Sequence, residues 1–170
     1  MELHCPNLSN IYKTATAKVP TSAPLTALAS NLPNLSVLDM PNANLTGVIA
    51  FLDSRWGSLK RVNIASATGN VNFSTKISSI NCDSATGLTG TTVNGPTPKQ
   101  SLTEISCSSL TSIGGYAFAN NDKLDFSKMD FSNVKDVGSY AFYNIGTPQN
   151  KQELYLMGAT KIGMGAFRGD

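Results

Sequence analysis

Gly114-Gly115-Tyr116-Ala117-Phe118 returns as Gly138-Ser139-Tyr140-Ala141-Phe142 and again as Gly163-Met164-Gly165-Ala166-Phe167. The three phenylalanines stand 24 and 25 residues apart, and an aliphatic residue (Ile113, Val137, Ile162) precedes each block. Self-similarity at a fixed spacing of this size marks a repeat architecture. Upstream of the first block, Leu102, Ile105, Cys107, Leu110 and Ile113 form an apolar comb at offsets 0, 3, 5, 8 and 11.

The same comb fits Leu35, Leu38, Met40 and Ala43, then Leu59, Val62, Ile64 and Ala67, then Ile77, Ile80, Cys82, Ala85 and Leu88. It continues through Phe126, Met129, Phe131, Val134 and Val137, and through Leu154, Leu156, Ala159 and Ile162 with Lys151 in the first slot. A partial comb, Leu3, Cys5, Leu8 and Ile11, opens the chain. The first strand residues are therefore 3, 38, 62, 80, 105, 129 and 154, at intervals of 35, 24, 18, 25, 24 and 25. A period near 24 lies within the roughly 20–29 residues of leucine-rich repeats. The expected fold is α/β: a right-handed leucine-rich-repeat solenoid of about seven turns. Its parallel sheet lies on the concave face, with short helices and turns on the convex face. It forms a single domain over residues 1–170, part of a longer array.

Residues two apart on a strand point the same way. Leu38, Val62, Ile80, Ile105, Met129 and Leu154 should then form one interior column, and Met40, Ile64, Cys82, Cys107, Phe131 and Leu156 the next. A third column, Ala43, Ala67, Ala85, Leu110, Val134 and Ala159, is mostly small, as suits a chain leaving the strand and turning inward. Phe118, Phe142 and Phe167 should fill the opposite wall, with Phe51 and Val93 in the same slot of earlier repeats. Between strands, 22–31 reads as a short helix with Ser22 as N-cap and Pro24 in its first turn. Residues 46–55 read as a second helix. Gly87 to Gln100 reads as a loop on its Gly, Thr and Pro content.

Composition narrows the function classes. Apolar residues are 41% and charged residues 14%, unlike a disordered tail. The formal charge is +2 with no dense Lys/Arg run, so no basic patch exists to neutralise phosphates, and no nucleic acid is expected as a partner. No stretch approaches the roughly 18 apolar residues of a membrane span, so no membrane insertion is expected. The first twenty residues carry no signal-peptide core, which leaves a cytosolic chain or one whose export signal is absent from this sequence. Three cysteines are an odd number and imply no closed disulfide framework.

The run Leu110-Thr-Ser-Ile-Gly-Gly-Tyr-Ala-Phe118 resembles the BspA-like leucine-rich repeats of bacterial cell-surface proteins. Residues 137–142 and 162–167 are similar to further copies, and the match covers about 102–167. Leu32-Pro-Asn-Leu-Ser-Val-Leu-Asp-Met40 is similar to a generic leucine-rich repeat. The resemblance implies an exported surface protein that adheres to a host or matrix protein or glycan; it does not fix which one.

Such a repeat array binds through the outward strand residues of its concave face. Those expected to carry binding are Asp39, Arg61, Asn63, Asn81, Ser106, Asp130 and Tyr155, with His4 in the same column and Glu104, Lys128 and Glu153 flanking it. Tyr155 stands out because aromatic side chains anchor interfaces. The competing expectation is a simply solvated face. Arg168-Gly169-Asp170 is the tripeptide that integrins read, but a glycine turn is due there in any case. Cys5, Cys82 and Cys107 share one interior column, where inert buried thiols are expected; Cys82 and Cys107 fall on neighbouring repeats, so a bridge is conceivable. Asn7, Asn34, Asn44 and Asn72 stand in Asn-x-Ser/Thr sequons, which matter only in a eukaryotic secretory pathway.

The signals for catalysis are thin. His4 is the only histidine, no His/Cys metal spacing exists, and there is no phosphate loop or dinucleotide fingerprint. No enzyme activity, metal or cofactor is expected. The leading expectation is a surface adhesion or recognition module. A structural spacer and a fragment of a receptor-type ectodomain are the alternatives. The chain starts inside a partial comb and stops just after a repeat phenylalanine, so a longer array or end-to-end self-association is expected.

Overall fold

The computed structural model describes residues 1–8, 32–51, 56–73, 76–89, 101–146 and 152–169. Among them are eleven short strands, in chain order β1 (Glu2–His4), β2 (Val37–Asp39), β3 (Val48–Ala50), β4 (Arg61–Asn63), β5 (Asn70–Asn72), β6 (Ser79–Asn81), β7 (Gly87–Thr89), β8 (Glu104–Ser106), β9 (Ser112–Ile113), β10 (Asp136–Val137) and β11 (Lys161–Ile162). The only helical element described is a 3-10 turn, Phe126–Lys128. The fold is thus of the parallel-strand, α/β kind with almost no helix. The strands make two parallel sheets, ordered β1-β2-β4-β6-β8 and β11-β10-β9-β7-β5-β3.

Period-2 alternation explains the first sheet. The middle residue of each three-residue strand points inward, and the register aligns Leu3, Leu38, Val62, Ile80 and Ile105 across the five strands. Leu38, Val62 and Ile80 are buried, while Leu3 and Ile105 pack partly buried against the core. Met40, Ile64, Cys82 and Cys107 are buried two residues further on, as are Ala43, Ala67 and Ala85 where the chain turns. Removing this apolar surface from water, at about 25 cal/mol per Å², is the main driving force.

The second sheet departs from the sequence expectation, which had helices and turns opposite the first sheet. Its inward column is Ile49, Val71, Leu88, Ile113 and Val137, all buried, with Ile162 in register on the last strand β11 but exposed. Residues 46–51 of the helix expected at 46–55 are therefore not helical, and 52–55 lie outside the described residues. Gly47 sits at φ 81, and the chain then alternates: Val48 exposed, Ile49 buried, Ala50 half-buried, Phe51 buried. Gly87–Thr89 is a strand and not a loop, with Leu88 buried at its centre; the rest of that stretch lies outside the described residues. The helix expected at 22–31, Val93 and Asp170 also lie outside them. The later strands approach closely: a Cβ at Gly138 would stand 2.5 Å from the Gly115 nitrogen and 2.6 Å from the Gly114 carbonyl carbon.

A third ladder runs through the Gly-x-x-Ala-Phe blocks. The N–H groups of Tyr116, Phe118 and Asn120 donate to the carbonyls of Ser139, Ala141 and Tyr143; those of Tyr140, Phe142 and Asn144 donate to Met164, Ala166 and Arg168. Tyr116, Tyr140 and Gly165 take φ of 57, 58 and 63 in equivalent slots, and Asn120, Asn144 and Gly169 take 58, 54 and 93. Inside this wall the rings of Phe118, Phe142 and Phe167 stack at 5.4 and 5.5 Å.

The first sheet stops at β8, although strands were expected at Met129 and Leu154. Local side-chain bonds compete with the ladder here. Asp125 accepts from the Ser127 N–H at 3.2 Å and its hydroxyl at 2.6 Å, and Asp130 accepts from the Ser132 N–H at 2.9 Å. The backbone is drawn into turns while Phe126 and Phe131 remain buried.

Candidate functional site

The outward side chains of the first sheet stand in two columns fixed by strand register. One is Glu2, Val37, Arg61, Ser79 and Glu104; the other is His4, Asp39, Asn63, Asn81 and Ser106. All of them but Glu2 line a shallow groove of about 430 Å³ that runs across all five strands from His4 to Glu104 and Ser106. Five of the seven residues expected to carry binding, Asp39, Arg61, Asn63, Asn81 and Ser106, are brought together here. Asp130 and Tyr155 are not, because β8 ends the sheet before either residue. Tyr155 is 60% exposed and donates its hydroxyl to Glu153 at 2.9 Å. Lys128 pairs with Asp125 at 3.0 Å.

Charges on the face are tied to one another. His4 Nδ1 lies 3.1 Å from Asp39 Oδ2 and Nε2 lies 3.2 Å from Glu2 Oε2. Both contacts are best when the ring is protonated and donates at both nitrogens. Asp39, then Glu2, accordingly hold the His4 pKa above its ordinary value. Arg61 reaches the other Glu2 oxygen at 3.6 Å. Asn63 donates its amide to Asp39 Oδ1 at 2.9 Å, while its own Oδ1 is buried without a donor. An acceptor left that way costs about 1–3 kcal/mol.

Two groups that sequence reasoning passed over complete the face. Glu2 bridges His4 and Arg61. Asp83, just past β6, accepts the Ser106 hydroxyl at 2.5 Å and the Ser108 N–H at 3.4 Å. Glu2 could have been found from its i, i+2 spacing to His4 on one strand face. Asp83 lies outside the strand, and no spacing rule points to it. Ser79 donates to Glu104 at 3.0 Å. A second hollow of about 400 Å³ opens where the sheet ends, between Thr103–Ile105 and the Lys123–Met129 segment.

Chemically the face offers carboxylates, amides, hydroxyls, one imidazole and one guanidinium, and among the described residues no Phe, Tyr or Trp lines its groove. Both nitrogens of His4 are taken by carboxylates, which leaves none to draw a proton from a serine hydroxyl. Among the described residues no group of three or more His, Cys, Asp or Glu side chains is placed to hold a metal ion. No described helix is long and apolar enough to cross a membrane. Cys82 and Cys107 are free and buried just past the paired strands β6 and β8, and Cys5 is free and half-buried. In comparisons with known proteins, no family model, no curated protein and no solved structure matches this chain.

Proposed function

We propose that the chain is a right-handed leucine-rich-repeat solenoid of about seven turns, akin to the BspA-like surface proteins, and that it is a non-catalytic recognition module. It works outside the cell or at its surface and holds a protein or glycan partner on the outer face of the first sheet. The period near 24 residues and the parallel register of both sheets support the solenoid. The observation that carries the binding role is the five-strand groove with its two registered columns, polar at every position but Val37.

One observation favours a structural spacer instead. Apart from Asn63 Oδ1, many polar groups of the face pair with one another, His4 and the Asn63 amide N–H with Asp39, Ser79 with Glu104, Ser106 with Asp83. Binding of the purified chain to a panel of matrix proteins and glycans separates the two. Saturable binding lost in Asp39→Ala and Asn81→Ala, with circular dichroism unchanged, is the expected result. Loss in Tyr155→Ala as well would extend the site beyond β8. Silence across the panel from a chain with a cooperative melt would favour the spacer.

A further inference from the structure

We infer that the groove takes an extended protein segment bearing lysine or arginine, and that His4 competes with that segment's cation for Asp39. The inference rests on the recognition role proposed above and narrows it to one partner chemistry.

Charge complementarity is the first support. The chain has a formal charge of +2. On this face Glu2, Asp39, Asp83 and Glu104 gather around a single permanent cation, Arg61. Asp39 and Glu104 line the groove, and Glu2 and Asp83 reach its lining residues Arg61 and Ser106, so carboxylates outnumber the permanent cation on this face while the chain as a whole carries net positive charge. A cationic segment would be drawn to the face and turned away elsewhere. Among the described residues no Phe, Tyr or Trp lines the groove to give a sugar a broad stacking platform, and the His4 ring is held between two carboxylates, whereas Asn63, Asn81, Ser79 and Ser106 suit a peptide backbone.

Geometry sets the pattern. The five strands span four intervals of about 4.8 Å, close to the length of an extended segment of about six residues. Asp39 on β2 and Glu104 on β8 are three intervals apart, so cations about four residues apart in an extended peptide reach both. Arg61, on the intervening β4, disfavours a third cation between them.

His4 already supplies a cation to Asp39 from the neighbouring strand. The charged groups facing its ring are Glu2 on its own strand and Asp39 on β2, with Arg61 on β4 acting through Glu2. A protonated His4 therefore occupies the carboxylate that the incoming cation needs. Neutral His4 releases it. Binding of the cationic segment and protonation of His4 oppose one another, and by linkage each must weaken the other.

The test uses the whole chain and two blocked peptides, Lys-Ser-Gly-Ser-Lys and Gln-Ser-Gly-Ser-Gln. His4 is the only histidine, so its ring protons give one titrating signal in proton NMR. The lysine peptide should bind about fivefold more tightly at pH 8 than at pH 5.5, as expected for one exposed charge pair. It should lower the titration midpoint of His4. His4→Gln should lose the pH dependence and keep the binding; Asp39→Asn, which is isosteric, should weaken binding at both pH values. Equal affinity for the glutamine peptide overturns the cationic partner while leaving the recognition face intact. An unmoved His4 midpoint overturns the competition. Binding of glycans to the same face, with neither peptide bound, overturns the inference but not the proposed function.

Discussion

Truncating Phe142 to alanine tests the packing at its most connected point. The Phe142 ring is fully buried and lies 5.4 Å from Phe118, 5.5 Å from Phe167, 5.7 Å from Phe126 and 5.8 Å from Phe131. Its backbone is clamped by a 2.8 Å bond to Ala166 in the next repeat. Four rings on fixed backbones cannot collapse into the hole, so the cost should fall in the middle of the usual range for core Phe→Ala, about 4 kcal/mol. For a domain of this size that corresponds to a fall in Tm of about 8–16 °C. Phe167→Ala is the internal control. Phe167 is 38% exposed and stacks on Phe142 alone, so its truncation should cost about 1–2 kcal/mol. Urea unfolding followed by far-ultraviolet circular dichroism, with a parallel thermal melt, measures both. A Phe142→Ala melt within about 2 °C of the parent, or a Phe167→Ala loss as large as that of Phe142→Ala, would refute the packing argument.

Three other perturbations follow from the structure. Burial pushes the Cys107 thiol up to about 12 and the Cys82 thiol higher still, so native protein at about pH 8 should react at Cys5 at most, and all three thiols should react in denaturant; one reactive thiol in denaturant would mean a Cys82–Cys107 bridge. Gly138→Ala forces a Cβ against the Gly114–Gly115 backbone, and a loss of about 1–3 kcal/mol is expected in urea unfolding; an unchanged midpoint would show that the two repeats can separate freely. The folded-state pKa of His4 lies above its ordinary 6.5, so its contribution to stability is complete below 6.5 and is lost as pH rises through the raised value. In urea midpoints measured across that window, His4→Gln should remove this slope; a slope identical to the parent's would place its origin elsewhere.

The first sheet was legible because its signal is redundant. Each strand offers two inward residues two apart, such as Leu38 with Met40 or Val62 with Ile64, and a helix period cannot accommodate that spacing repeated five times. The second sheet also buries pairs two apart, Ile49 with Phe51 and Val71 with Phe73, but flanks its inward residues with ones that read as loop: Asn70 and Asn72 around Val71, Gly87 and Thr89 around Leu88. Only alignment of Ile113, Val137 and Ile162 across the repeats hinted at it, and those positions were read as part of the comb and not as a separate sheet. Asp130 and Tyr155 occupy the right offsets, yet Asp125 and Asp130 bond to their own backbone, and period arguments do not weigh that competition. Of the site, the column from His4 to Ser106 followed from register alone. Its electrostatic character did not, because Glu2 and Asp83 act through contacts that only the folded arrangement creates.

The hydrogen bonds between strands and between blocks join each repeat to its immediate neighbours along the chain. Under tension applied at the two ends, the described residues offer no distant clasp that must break first. Each repeat would peel from the next by opening its own ladder bonds in succession, and the intact remainder would keep bearing load. With repeats near 24 residues, each event should lengthen the chain by about 80 Å, since an extended residue spans about 3.3–3.6 Å. A chain built this way yields gradually, in even steps, where a domain clamped by its termini would fail at once.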